Sequence, residues 1–74
     1  MKPSVGRIVH YVSYGTPNGE YKAECRAAII TQVFSDTVVS LCVLNPSGLF
    51  FNTSIPFDEK AKGGTWHWPE RIEE

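Results

Sequence analysis

Ala27-Ala28-Ile29-Ile30-Thr31-Gln32-Val33-Phe34-Ser35-Asp36-Thr37-Val38-Val39-Ser40-Leu41-Cys42-Val43-Leu44 decides the fold. Two apolar runs rich in β-branched residues flank a short polar break at Ser35-Asp36. Branched side chains lose rotamer freedom in a helix and pack well on a pleated surface, so both runs read as strands. Each run is apolar on both faces, the pattern of a strand covered on two sides. With Ser35-Asp36 as a two-residue turn, Phe34 pairs with Thr37 and Ile29 with Cys42. The two strands are expected over Glu24 to Phe34 and Thr37 to Leu44.

Outward from this hairpin the chain offers three more strands. Val5 to Ser13 alternates Ile8, His10 and Val12 against Arg7, Val9 and Tyr11, so neither face is purely polar. Leu49 to Phe57 carries Phe50, Phe51, Ile55 and Phe57, and Pro56 confines that end to an edge or a bulge. Thr65 to Trp68 is a short last strand stopped by Pro69. Asn45-Pro46-Ser47-Gly48 has the proline and glycine placement of a type I turn. Tyr14 to Ala23 is the longest connection; its Asn18-Gly19 supplies turn chemistry, and it is a natural ligand-facing loop. Asp58 to Gly64 is a charged loop, and the tail over 69–74 is acidic and expected to fray. No helix of ordinary length is expected. Five short strands at about 8–12-residue spacing predict one all-β domain, a small five-stranded SH3-like barrel.

Size and composition bound the functional classes. At 74 residues the chain is one domain with a thin core, since chains this short bury only about 60% of their unfolded surface. Hydrophobic residues make up 42% of the sequence, which argues against disorder. The net charge of −1 gives no bulk attraction to a nucleic-acid polymer or a membrane surface. No apolar run reaches membrane-span length, and no signal-peptide pattern opens the sequence, so a cytoplasmic location is expected.

The two cysteines are expected to be free. In the hairpin register Cys25 lies four residues beyond the partner of Cys42, roughly 13 Å away at about 3.4 Å per residue. A disulfide requires Cα atoms within about 7 Å. Two mostly buried thiols suit a reducing compartment. Without a second metal-spaced cysteine or a histidine pair nearby in the chain, no metal site and no cofactor are expected.

Three segments carry a resemblance: Lys2-Pro3-Ser4-Val5-Gly6-Arg7-Ile8-Val9-His10-Tyr11, Leu44-Asn45-Pro46-Ser47-Gly48-Leu49-Phe50-Phe51 and Gly64-Thr65-Trp66-His67-Trp68-Pro69. Together they resemble a family of small uncharacterised proteins from bacteriophages and actinobacteria. The resemblance implies a phage-linked protein working in the host cytoplasm. Some unrelated small phage proteins hold cyclic-nucleotide signals of bacterial immunity without cleaving them, an analogy of size and origin only.

The aromatic end holds the clearest functional signal. In an extended segment Trp66 and Trp68 point to one side and His67 to the other. The indoles can serve as core, as a subunit interface or as a stacking wall for a base. His10 and Tyr11 on the first strand, Tyr14 and Tyr21 on the long loop, and Arg26 on the second strand complete a candidate ligand set with Trp66 and Trp68. Arg26 can take a phosphate bidentately or simply pair with Glu20 or Glu24. No nucleophile–base–orienter set is discernible, so catalysis is not expected. Phe50 and Phe51 face opposite ways, one into the core and one outward. With Ile30, Leu41 and Val39 on the face opposite Ile29 and Val33, the apolar surface exceeds what one small barrel hides, which points to a homo-oligomer. The reading is a non-catalytic, oligomerising protein that captures a small nucleotide-like signal. Its rival is an SH3-like module that docks on a host or phage protein through Tyr11, Tyr14, Trp66 and Trp68.

Overall fold

The computed structural model describes residues 2–14 and 24–69. Five strands follow in order: β1 (Ile8–Val12), β2 (Cys25–Val33), β3 (Val38–Asn45), β4 (Gly48–Pro56) and β5 (Trp66–His67). They form one antiparallel sheet in the order β4-β3-β2-β1-β5. All five lie within a few residues of their sequence expectations, and no helix occurs among the described residues. The expected long loop beyond Tyr14 and the acidic end of the tail fall outside the described residues.

The strands are not closed into a barrel by continuous pairing. A single parallel bridge, Phe57 to Trp66, ties the chain just after β4 to β5 at the far edge of the sheet. Phe57 N–H donates to the Thr37 carbonyl at 2.8 Å and Asp58 N–H to the Trp66 carbonyl at 3.0 Å. The sheet must coil strongly for its first and last strands in the pairing order to meet in this way.

Two irregularities interrupt the ladder. Ile29 pairs with Cys42 as the hairpin reading expects, but for a different reason. Phe34 N–H donates to the Val38 carbonyl, so the turn is one residue longer than Ser35-Asp36. A bulge between Ile30 and Gln32 takes up the extra residue and restores the register. The second shift lies between Val39 and Leu41 of β3, opposite the β4 segment containing Ser54, whose φ of 57° is left-handed. Ser40 Oγ donates to Thr53 Oγ1 across this irregular stretch at 3.0 Å.

One face of the coiled sheet makes the core: Val9, Tyr11, Ala28, Ile30, Val39, Leu41, Val43 and Trp66, with Ile55, Phe57 and Trp68 packed against it. Three sequence expectations are corrected here. Ile30, Leu41 and Val39 are interior, not surplus; the apolar surface left over belongs to the opposite face. Both phenyl groups of the Phe50-Phe51 pair are exposed, at 53% and 74%, because β4 is the outer strand and no described element covers either side of it at that point. Cys25 and Cys42 are free as expected, but only Cys42 is buried; Cys25 is exposed because it stands at the start of β2.

Candidate functional site

The residues singled out from the sequence separate onto two faces. Tyr11 pairs in register with Trp66 on one side and Arg26 on the other, and these three share the core face. His10 pairs with His67 on the reverse face. Period-two alternation along β1 and β5 therefore divides the expected pocket instead of assembling it.

On the core face, Trp66 is fully buried, and its indole N–H donates to the Thr37 carbonyl at 3.0 Å. Its ring meets Phe57 and Trp68 edge-on, with centroids 5.0 and 5.3 Å away. Trp68 is half-buried, and the Arg7 guanidinium lies 5.8 Å from its ring centre, within cation–π range. The two indoles do lie together, but Trp66 is core and only Trp68 reaches the surface. An open cleft of about 220 Å³ lies beside it, lined by Phe57, Glu59, His67 and Trp68. That is below the roughly 300 Å³ at which small-molecule sites begin.

Tyr11 is buried, and burial first, with exposed Tyr14 second, raises its phenol above the ordinary range. Tyr14 is 71% exposed, and its ring lies over Gly63 and Gly64. Gly64 has φ +82°, and a Cβ there would run into the Tyr14 hydroxyl. Arg26 makes an ion pair with Glu24 at 3.2 Å, one of the two surface pairings that the sequence allows it. Its Nε is buried with no hydrogen-bond partner among the described residues. Tyr21 lies outside the described residues.

The reverse face holds an assembly the sequence reading missed. His10 of β1, Cys25 of β2 and His67 of β5 bring one ligating atom each to within 4.8 Å of one another. Cys25 Sγ is 3.8 Å from His67 Nε2, and the two imidazoles meet edge-on with centroids 5.5 Å apart. His67 is 4% exposed and His10 is half-buried. The expectation of no metal-ligating set rested on spacing along the chain. Strand pairing supplies the histidine pair that spacing lacks, and Cys25 of β2 reaches it because its partner on β1 is Val12, two residues from His10.

Beside this cluster runs an apolar stripe. One cross-strand row reads Ile8, Ile29, Cys42, Phe51, and the next continues from His10 through Ala27 and Leu44 to Leu49. Ile8, Leu49 and Phe51 are 61%, 59% and 74% exposed, and no charged side chain interrupts either row. No family model, curated protein or solved structure matches this chain. No helix among the described residues is long and apolar enough to cross a membrane.

Proposed function

We propose that this protein is a non-catalytic assembly module that pairs with a second copy of itself through the apolar stripe of its sheet. The observation that carries the reading is the charge-free pair of rows from Ile8 to Phe51 and from Ala27 to Leu49. Ile8, Leu44, Leu49 and Phe51 stand exposed along it, a contiguous apolar patch of the kind that marks an association surface. Face-to-face packing of two sheets is an ordinary way to cover such a surface. A net charge of −1 puts little repulsion between identical copies.

The fold that presents this surface is in keeping with an SH3-like barrel. The order of elements, the pairing of β5 with β1 and the Phe57 to Trp66 bridge support that finer assignment. Capture of a nucleotide-like anion draws less support. Arg26 is engaged with Glu24, Trp66 is enclosed, and His10 lies on the other face from both. The peptide groove of the docking alternative loses Tyr11 and Trp66 to the core in the same way.

Light scattering across a concentration series tests the proposal. The full chain is expected to reach dimer mass at micromolar to tens-of-micromolar protein, and Phe51→Lys to remain a monomer. A monomeric wild type over that range, or a Phe51→Lys dimer, overturns it.

A further inference from the structure

We infer that His10, Cys25 and His67 form a binding site for a single divalent cation of the zinc class. Three kinds of observation converge. The first is donor chemistry: two imidazoles and a thiol are the ligands that borderline cations such as Zn²⁺ select over carboxylate sites. The second is geometry. With Zn–N of about 2.0–2.1 Å and Zn–S of about 2.3 Å, tetrahedral donors stand about 3.3–3.6 Å apart. The three atoms here already lie within 4.8 Å of one another, so side-chain rotations that close the widest separation by about 1.2–1.5 Å complete the set. The third is an unmet polar demand. His10 Nδ1 is buried and has no hydrogen-bond partner among the described residues, an arrangement that costs free energy unless a partner arrives.

The scaffold suits the task. The three ligands stand on three adjacent strands held in register, so little backbone motion is needed to gather them. β5 contributes only Trp66 and His67 to the sheet, and a cation bridging His67 to β1 and β2 fastens this shortest strand. Exposed Cys25 gives the site access from solvent. Binding releases the Cys25 thiol proton to solvent and requires both imidazoles to be neutral at the ligating nitrogen, so affinity falls with acidification. Three protein ligands leave a fourth position for water, the arrangement of an open site and not of a closed structural one.

The test uses the reduced, chelator-washed full chain titrated with Co²⁺ as a spectroscopic stand-in and then with Zn²⁺. The expected result is a thiolate-to-cobalt charge-transfer band that saturates at one ion per chain, bleaches on addition of Zn²⁺, and accompanies a rise in melting temperature with Zn²⁺. Cys25→Ser, at an exposed position, is expected to fold as the wild type does, lose the band and bind Zn²⁺ at least about tenfold more weakly. His10→Asn is expected to weaken Zn²⁺ similarly, while Cys42→Ser keeps the band. Absence of the band at every Co²⁺ concentration overturns the inference. So does a band that survives in Cys25→Ser and vanishes in Cys42→Ser.

Discussion

The two outer strands of the sheet treat their aromatic residues in opposite ways. At β5, Trp66 is enclosed, its N–H satisfied by Thr37 and its ring wedged between Phe57 and Trp68. At β4, Phe50 and Phe51 stand largely in solvent. The strands differ less in composition than in what lies across from them. The coil of the sheet brings Phe57 and the β2–β3 turn over Trp66, whereas the start of β4 has β3 beside it and nothing described beyond it. In a thin-cored domain, an aromatic residue becomes core only where the sheet curls back to meet it. Elsewhere it becomes surface that another molecule can cover.

The contrast can be broken most severely at Trp66. Trp66→Ala removes the largest enclosed side chain and one of the two donors to the Thr37 carbonyl, leaving only the bond from Phe57 N–H. The expected loss is about 3–5 kcal/mol, enough to unfold so small a domain in thermal or urea denaturation. Gly64, which leads into β5, comes next. Gly64→Ala forces a Cβ onto a left-handed backbone beneath Tyr14, with an expected cost of roughly 1–2 kcal/mol from the backbone alone. The double variant with Tyr14→Ala is expected to recover only the part due to collision, which urea midpoints resolve.

Tyr11 sharpens the comparison through pH. Its folded phenol titrates above the ordinary value near 10, so the unfolded chain ionises first. The stabilisation from keeping this phenol neutral is complete below about pH 10 and is lost as pH rises through the higher folded range. Denaturation midpoints are expected to decline over that window and to decline less steeply in Tyr11→Phe. The smallest effect belongs to β4. Phe51→Lys is expected to shift the stability of the isolated fold by no more than about 0.5 kcal/mol, although it replaces a residue as aromatic as those that hold β5.

Much of the fold was legible in the sequence, and the failures have identifiable causes. Branched apolar runs and turn residues placed all five strands. The one-residue bulge near Thr31 was not legible, because Thr31-Gln32 contains neither glycine nor proline to mark it. The core face of the central hairpin was misassigned for a related reason: Ile29 and Ile30 are equally apolar, and alternation carries no sign when both faces are greasy. The opposition of Trp66 and His67 across β5 was readable, since extended backbone dictates it. The meeting of His10, Cys25 and His67 was not. It depends on β1 lying between β2 and β5 and on the register His10 to His67, a pairing only two residues long.

The most direct test of the association is a nuclear Overhauser experiment, filtered for contacts between chains, on an equal mixture of isotope-labelled and unlabelled protein. Pairing through the stripe is expected to give intermolecular cross-peaks linking the Phe51 ring or Leu49 methyls of one copy to the Ile8 or Ile29 methyls of the other. Cross-peaks that instead join Trp68 or Tyr14 across copies, or none between stripe residues at a concentration where light scattering gives dimer mass, would contradict it.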